Sequence, residues 1–491
     1  MNFKSNHNKT LLSFLIILAL SPLVYSQSTE SISKRALKPG RTIEAFYHHK
    51  LKKTILINGS FDPGPWHTKF LELWQWNNNG WELVSDDGPE VRNGFGWAFD
   101  SKRGKLVIYG GTVAQEPGNR KWFMDTWEWD GKNWQKIDTQ ENPGARFATG
   151  MTYDPVRKAC VLFGGANDKF VLSNDTWTFD GSQWKRIFSN GPTSRWPAAM
   201  FYFPPTKKVY VYGGHSKISE TQRGLMSDTW ELREDGWLEI ESSSIPGKQE
   251  GVEVVFNKYT NEILMVCGGS DTPNREPKFI GTTWAFNGRN WRVTDFTGMP
   301  PRGGQAMSYN PKTKSILLHG GFNIGGGTGL NDTWLLTNNS REWKCISGCY
   351  EEQKQWIENH PEDGNALLNF IATSFYTGKA EEIKKPITKA VQSNLLSDFT
   401  LKKIASYLMA IRQFNEGVMC LERVVISEPK GMNFYNLGCA YVIYGDKDKA
   451  FGALNKASEL GYNKKSDYEN DVDLATLRQD ARWKVLLTKL K

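Results

Sequence analysis

Arginine recurs at one fixed place in this sequence. Four arginines each stand at the same distance before the first glycine of a Gly-Gly pair: Arg92, Arg146, Arg195 and Arg302. There are six such places along the sequence. At the first, which departs from the pattern, Arg41 stands at a shifted position, and at the fifth, Glu250 replaces arginine. A guanidinium group makes planar two-bond contacts with carboxylates, so these arginines are candidates for binding an acidic ligand. The alternative is that each one pairs with a loop acid or carbonyl and holds the structure together.

The segments that follow the Gly-Gly pairs differ from one another, as recognition loops do. They contain five further candidates for ligand binding: Trp66, Trp122, His215, Glu220 and Arg223. Trp196, which follows Arg195, is a sixth. An aromatic face beside a cation can stack on a sugar ring or on a peptide side chain. Alternatively, some of these rings pack under their own loops.

Motifs for catalysis or cofactor binding are weak. Glu220 and Arg223 could supply an acid and a cation for proton transfer, but a loop Glu and Arg at this spacing are common by chance. His215 and His319 belong to different units, and no tyrosine completes a metal site with them. The glycine run from Gly325 lacks the Lys-Ser/Thr of a phosphate-binding loop. We therefore assign no catalytic residue and expect no metal and no cofactor.

These residues must be positioned by an internal repeat of about 50 residues. Five apolar runs each end in a Gly-Gly pair, and successive pairs are 54, 49, 55 and 52 residues apart. The pairs begin at Gly110, Gly164, Gly213, Gly268 and Gly320. Asn58-Gly59 is a degenerate sixth pair. A pair of tryptophans follows each: Trp74/Trp81, Trp127/Trp134, Trp177/Trp184, Trp230/Trp237, Trp284/Trp291 and Trp334/Trp343. Twelve of the 20 tryptophans therefore occupy one pair of positions that is repeated six times.

Each repeat predicts four short strands separated by turns. In the third repeat the strands are FATGMTYD, KACVLFGG, DTWTFD and QWKRIF. A four-stranded sheet that recurs every ~50 residues is typical of a β-propeller blade, and the tryptophan pair supplies apolar mass between neighbouring sheets. In this antiparallel order, the loops after the Gly-Gly pairs and the connections between blades lie on one face. We expect the candidates for ligand binding on that face, around the mouth of the central channel.

Gly-Gly after an apolar strand, then Asp-Thr-Trp, Asp-Gly and a second Trp, resembles the kelch repeat in its bacterial form. The resemblance covers residues 41–347 and implies a six-bladed propeller, with the first repeat departing most from the pattern. In eukaryotic kelch domains, arginines at such places bind acidic peptides. Copper radical oxidases share the propeller architecture, and periplasmic six-bladed kelch proteins include a sialic-acid mutarotase. The resemblance therefore implies, as an alternative, a carbohydrate-active enzyme at the channel mouth.

After Tyr350, glycine and tryptophan thin out and the apolar spacing becomes helical. Seven residues fall at the positions of a tetratricopeptide repeat: Phe434, Leu437, Gly438, Tyr441, Ala450, Leu454 and Ala457. A preceding copy runs from Ala405 to Pro429, and a weaker one starts near Asn365. Residues 365–491 therefore resemble a short tetratricopeptide array with a C-terminal capping helix, preceded by a linker over residues 348–364. Such an array implies a second interaction surface.

The N-terminus has the pattern of a secretory signal: Lys4 and Lys9, an apolar stretch from Leu11 to Leu20, and a cleavage point after Ser26. We expect residues 1–26 to be a signal peptide and residues 27–40 a linker. The mature protein is then secreted or periplasmic, with no transmembrane segment. Cys345 and Cys349 are close enough in sequence for a local disulfide.

Composition narrows the function further. The chain has 491 residues, 39% of them hydrophobic, which is enough to bury a large core, and its net charge of +8 is spread thinly, which argues against nucleic acid. The predicted fold class is multidomain β and α: a six-bladed kelch-type β-propeller followed by an α-helical tetratricopeptide-like solenoid. We favour an exported, non-enzymatic binding or scaffold protein over an enzyme. Its ligand on the propeller loop face would be a protein or a glycan, and the arginines suit an acidic one.

Overall fold

The computed structural model describes residues 37, 42–59, 68–116, 119–197, 199–217, 223–266, 268–270, 278–279, 281–322 and 329–491. Within them the chain forms two compact units, one ending at Cys349 and the other running from Tyr350 to Lys491. The first is a six-bladed β-propeller and the second is a helical region, which confirms the predicted fold class. The predicted signal peptide, residues 1–26, lies outside the described residues.

The first three blades take their strands from consecutive sequence in antiparallel order. Blade 1 contains β1 (Thr42–His48), β2 (Lys53–Gly59), β3 (Glu72–Trp76) and β4 (Trp81–Ser85). Blade 2 contains β5 (Gly96–Asp100), β6 (Lys105–Tyr109), a hairpin of β7 (Thr112–Glu116) and β8 (Asn119–Trp122), β9 (Thr126–Trp129) and β10 (Trp134–Ile137). Blade 3 contains β11 (Gly150–Asp154), β12 (Ala159–Phe163), β13 (Thr176–Phe179) and β14 (Trp184–Phe188).

The last three blades follow the same plan with short additional strands. Blade 4 contains β15 (Arg195–Trp196), β16 (Ala199–Phe203), β17 (Lys208–Lys217), β18 (Arg223–Leu232) and β19 (Trp237–Glu239). Blade 5 contains β20 (Gln249–Glu250), β21 (Glu253–Asn257), β22 (Glu262–Val266), β23 (Gly269–Ser270), β24 (Lys278–Phe279), β25 (Thr283–Phe286) and β26 (Trp291–Val293). Blade 6 contains β27 (Ala306–Asn310), β28 (Ser315–His319), β29 (Thr333–Thr337) and β30 (Lys344–Ser347).

Among the described strands, none is exchanged between the first and last blades, and these two blades meet by packing. The innermost strands are β1, β5, β11, β16, β21 and β27, and β27 of blade 6 contacts β1 of blade 1. The Trp81 indole of blade 1 donates a hydrogen bond to Thr333 Oγ1 of blade 6 over 3.2 Å. Its ring also lies 5.2 Å from that of His319, at a steep angle. Side-chain packing at this junction therefore closes the ring.

The fourth-strand tryptophan makes a comparable contact at other junctions. The indoles of Trp184, Trp237 and Trp291 each donate to a threonine on the third main strand of the preceding blade (β9, β13 and β18), at 2.8–3.0 Å. Blade 1 has Leu73 where the others have threonine, and the indole of Trp134 donates to Ser85 Oγ instead. Five of the six fourth-strand indoles therefore combine a large apolar surface with an acceptor in the preceding blade; the exception is Trp343 of blade 6, whose buried indole nitrogen has no hydrogen-bond partner.

The Gly-Gly pairs allow close approach between backbones, as Gly164 and Gly165 illustrate. Both have positive φ angles, +70° and +91°. A Cβ on Gly164 would lie 2.4 Å from the carbonyl oxygen of Arg195 in blade 4, and one on Gly165 would lie 3.0 Å from that of Phe147 in blade 3. Only glycine satisfies both the backbone conformation and the available space.

The second unit contains nine α-helices among its described residues. They are α1 (Tyr350–Asn359), α2 (Gly364–Tyr376), α3 (Lys384–Gln392), α4 (Asp398–Ala410), α5 (Phe414–Ser427), α6 (Gly431–Tyr444), α7 (Lys447–Glu459), α8 (Lys465–Asn470) and α9 (Ala481–Leu487). Consecutive helices pack together as α1/α2, α4/α5 and α6/α7. The segment that the sequence assigns to a linker, residues 348–364, contains α1. None of the helices described here has the length and apolar character needed to span a membrane.

Candidate functional site

The four repeated arginines are buried, and the side chain of each is 6% exposed or less. In blade 4, Arg195 Nη1 and Nη2 donate to the two carboxylate oxygens of Asp228 over 2.5 and 2.7 Å. Nη1 also donates to the carbonyl of Gly213, the first glycine of the pair, over 3.2 Å. The Trp230 indole donates to the same aspartate over 2.7 Å. One arginine, which lies just before the innermost strand β16, therefore connects that part of the chain to β17 and β18.

The same cluster recurs in three other blades. The corresponding ion pairs are Arg92–Asp125, Arg146–Asp175 and Arg302–Asp332. Burial alone would raise the pKa of each aspartate, but the hydrogen bonds and charge of its arginine outweigh burial and keep the pKa below the usual value. The donors of these arginines are thus directed at groups of their own blades. Such contacts are those expected if the arginines hold the structure together. A role of these arginines in ligand binding stays a prediction.

The sequences of blades 1 and 5 depart from the pattern that forms this cluster. In blade 1, Glu72 takes the place of the aspartate and accepts hydrogen bonds from the Trp74 indole and the Asn58 amide. Arg41 and the side chain of Glu250 lie outside the described part of the chain. Thr282 stands where the fifth blade would need an aspartate.

Three of the predicted ligand-binding residues lie together on the loop face of blades 2 to 4. The ring of Trp122 lies 6.4 Å from that of Phe147, and the ring of Phe147 lies 6.1 Å from that of Trp196. The ring of His215 follows at 5.2 Å from that of Trp196. The ring of Phe170 also lies 5.5 Å from that of Trp122. All four contacts are edge-to-face, the arrangement that aromatic quadrupoles favour.

We call this set the aromatic row: Trp122, Phe147, Phe170, Trp196 and His215. Sequence analysis missed Phe147 and Phe170. Phe147 follows Arg146 as Trp196 follows Arg195, and this shared position was a usable signal. Phe170 lies in a loop without a periodic pattern, so only the tertiary structure brings it to Trp122.

Short strand pairings beyond the Gly-Gly pairs position the aromatic row. In blade 4, Trp196 of β15 pairs directly with His215 of β17, and directly paired residues present their side chains on the same side of a sheet. In blade 3, Phe147 pairs with Ala166 in an isolated bridge. In blade 2, the β7–β8 hairpin carries Trp122. Each blade thus extends a small sheet toward the loop face and places one ring beside the next.

Phe170 adopts a backbone conformation that is unusual for an aromatic residue. Its φ angle is +55°, in the left-handed region. The turn is held by Asn167, whose side-chain oxygen accepts hydrogen bonds from the amides of Lys169 and Val171. The Phe170 side chain is 43% exposed and that of the adjacent Val171 is 58% exposed. A strained backbone here presents apolar side chains to solvent.

The remaining predicted site residues cannot be located in the same way. Trp66 and Glu220 lie outside the described residues, as does the side chain of Arg223, whose backbone begins β18. Within the described part of the chain, no three His, Cys, Asp or Glu side chains converge as metal ligands would. Cys345 and Cys349 form a disulfide at the end of the propeller unit.

Comparison with known proteins adds little beyond the architecture. The sequence matches no protein-family model and no curated protein. A solved structure titled "Structure of YjhT" is similar over 64% of this chain and 99% of that chain, with a TM-score of 0.48 and 13% sequence identity. This similarity carries no information about the ligand or activity of the present protein.

Proposed function

We propose that this protein binds a protein or glycan ligand on the loop face of its propeller, and that the aromatic row is the contact surface. The observation that carries the proposal is the continuity of the row: five rings from three blades contact one another in sequence. Aromatic side chains dominate binding surfaces because they bury a large area with few rotatable bonds. The exposed Met124, close to Trp122 in sequence, adds apolar surface.

The backbone conformation of Phe170 supports a role of the aromatic row in ligand binding. A left-handed backbone costs a residue with a Cβ about 1–2 kcal/mol. Exposure of Phe170 and Val171 also forgoes the free energy that burial of these side chains would contribute. A protein that required only a stable loop would gain from glycine at this position. Retention of phenylalanine is typical of strain that serves a binding site.

We further propose that the propeller is of the kelch type over residues 41–347, and that residues 365–491 form a tetratricopeptide array. The kelch assignment is supported by the recurrence of Gly-Gly, Asp-Thr-Trp and a second Trp at blade spacing. The tetratricopeptide assignment is supported by the antiparallel pairs α4/α5 and α6/α7 and by Gly438, where a Cβ would lie 2.7 Å from the side chain of Leu454. The helical region would then provide a second interaction surface.

We also propose that the protein is exported, as its N-terminal sequence indicates. The Cys345–Cys349 disulfide is compatible with an oxidising compartment. The alternative function, a carbohydrate-active enzyme, relies on Glu220 and Arg223, which lie in the 218–223 segment of blade 4. It stays a prediction.

Phe170→Gly is expected to weaken ligand binding at least about tenfold while the melting temperature stays unchanged or rises. The physical reason is that glycine removes a ring of the aromatic row and also relieves the left-handed strain at this position. Binding of labelled full-length protein to a glycan array and to a displayed peptide library would measure the effect and separate the two ligand classes. Trp122→Ala should weaken binding to the same ligands.

The matched control for this experiment is Tyr259→Ala. Tyr259 is 60% exposed on the turn between β21 and β22, at the opposite end of the propeller from the aromatic row. Its replacement should leave binding unchanged. Wild-type binding by Phe170→Gly and Trp122→Ala would contradict the proposal, and conversion of an array saccharide by the wild-type protein would favour the enzyme instead.

A further inference from the structure

The junction between blades 1 and 6, where the ring closes, contains a buried histidine. His319 ends β28 of blade 6 and is only 3% exposed. Its Nδ1 atom lies 3.2 Å from the indole nitrogen of Trp81 in blade 1 and 3.0 Å from Thr333 Oγ1 on β29. The Trp81 indole also donates to Thr333 Oγ1. We call these three side chains from two blades the closing cluster: Trp81, His319 and Thr333.

The hydrogen bond from Trp81 to His319 requires a neutral imidazole. An indole N–H only donates, so Nδ1 of His319 must carry a lone pair in order to accept from it. The proton of the neutral ring then lies on Nε2, and Thr333 Oγ1 is free to donate its own hydrogen to Nδ1. In the imidazolium form both ring nitrogens are donors, so an Nδ1–H group would face the indole N–H. Protonation of His319 therefore removes an acceptor from this junction.

The acceptors described at four other junctions are hydroxyl groups. Each of the corresponding fourth-strand indoles donates to a serine or a threonine of the preceding blade: Trp134, Trp184, Trp237 and Trp291. A hydroxyl oxygen keeps its lone pairs throughout the pH range in which proteins fold. Mild acid therefore acts on the acceptor of the closing cluster and leaves these four acceptors unchanged.

The charges that act on His319 come from the buried ion pair of its own blade. Arg302 and Asp332 are bonded to each other through both Nη groups of the arginine. Arg302 lowers the pKa of His319 and Asp332 raises it, so their effects oppose each other. Burial has the largest effect, because it disfavours the charged imidazolium, and it lowers the pKa of His319 to about 4.

The innermost strands at this junction bring apolar side chains to His319. Ala306 of β27 is its direct partner, and directly paired residues present their side chains on the same side of a sheet. On that side, Ala306 packs with Ile43 and Ala45 of β1. Glu44 lies between these two residues on the strand, so its side chain points to the opposite side of β1.

The other charged or titratable residues on the described strands of blade 1 are directed elsewhere. Glu72 of β3 accepts hydrogen bonds from side chains of its own blade. Glu82 follows Trp81 on β4 and is exposed. Tyr47 and Lys53 lie toward the far ends of β1 and β2. A proton on His319 would therefore gain no new carboxylate partner from these strands.

We propose that the closing cluster makes closure of the propeller ring sensitive to acid. At neutral pH, His319 accepts the hydrogen bond of Trp81 and holds blade 6 against blade 1. In acid, protonation of His319 sets two donors against each other and places a charge in an apolar junction, which weakens the contact between these blades. This inference goes beyond the proposed ligand binding and does not depend on the aromatic row.

The direction of the pH dependence follows from proton linkage. The pKa of His319 lies below its ordinary value of 6.5 in the folded protein, so the unfolded chain binds this proton more tightly. The stabilisation by neutral His319 is therefore complete above about pH 6.5 and is lost as the pH falls toward the folded pKa of about 4. Between about pH 7 and about pH 5, the melting temperature of the wild-type propeller should fall by about 4 °C more than that of a variant that cannot titrate at this position.

The test compares the full-length wild-type protein with His319→Gln in melting experiments followed by tryptophan fluorescence. A glutamine side-chain oxygen accepts a hydrogen bond from Trp81 at every pH, so this variant should lose the additional fall in melting temperature. His360→Gln is the matched control, because His360 lies in the helical region, directly after α1. It should retain the wild-type profile. Parallel pH profiles for the wild type and His319→Gln would overturn the proposal.

Hydrogen exchange of the wild-type protein localises the effect and requires no substitution. Exchange is measured by mass spectrometry at pH 7 and pH 5 and corrected for the intrinsic effect of pH on amide exchange. Protection should fall about tenfold in peptides from blades 1 and 6 and persist in blades 3 and 4, whose junction has Trp237 donating to Thr176. An equal change in both pairs of blades would overturn the proposal, even if His319→Gln does not fold.

Discussion

Arg302→Ala is expected to lower the free energy of unfolding of the propeller by about 3–5 kcal/mol. The side chains of Arg302 and Asp332 are only 1% and 3% exposed, and both Nη groups of the arginine donate to the aspartate over 2.6 and 2.9 Å. Removal of the arginine leaves a buried carboxylate without its cation and the carbonyl of Gly320 without a donor. Denaturant unfolding followed by tryptophan fluorescence measures the loss, since 18 of the 20 tryptophans precede Tyr350.

An exposed ion pair of the same blade region provides the control. Arg341 and Asp295 are also bonded to each other, but their side chains are 74% and 62% exposed. Arg341→Ala should cost less than about 1 kcal/mol, because solvent already screens the pair. Equal, small losses for the two variants would show that the buried arginines do not hold the blades. In that case their role as ligand donors would become the better account.

Gly164→Ala is expected to destabilise the propeller by about 3 kcal/mol. The new methyl group would lie 2.4 Å from the carbonyl oxygen of Arg195, which belongs to the backbone of the next blade and cannot rotate away. The φ angle of +70° adds strain for any residue with a Cβ. The same unfolding experiment measures the effect.

Gly80→Ala is the matched substitution for Gly164→Ala. Gly80 lies in the turn before β4, and a Cβ there would meet no atom within 4 Å. We expect a change within about 0.5 kcal/mol. If Gly164→Ala were as stable as Gly80→Ala, close packing at the Gly-Gly pairs would not explain why the repeat carries them.

The repeated positions explain why the fold was predictable. Gly-Gly pairs and paired tryptophans recur at blade spacing because successive blades impose the same requirements: a positive φ at Gly164, or a threonine acceptor in the preceding blade for Trp184. Six copies make such a pattern specific even though each copy alone is short. The helical region was predictable for the same reason, because its apolar pattern also recurs along the chain.

The candidate site was less predictable, because its residues do not repeat. The sequence analysis proposed the repeated arginines as ligand-binding residues because they stand at a constant distance before the glycine pairs. In the structure, their described ion pairs are with aspartates of their own blades. Phe170 has no counterpart at its position in other blades, and its left-handed backbone leaves no trace in the sequence. The sequence identified three members of the aromatic row individually, namely Trp122, Trp196 and His215. It did not show that their rings lie side by side.

The sequence alone determined the number of blades, the order of strands within each blade and the presence of a C-terminal helical region, since these depend on periodicity and on local backbone requirements. Only the tertiary structure decided which side chains meet across blades. The aromatic row joins residues of three blades, and the Trp81 indole of blade 1 bonds to Thr333 of blade 6, although the two residues are far apart in sequence. Assembly of the blades into a ring sets such contacts, and no local pattern in the chain encodes them.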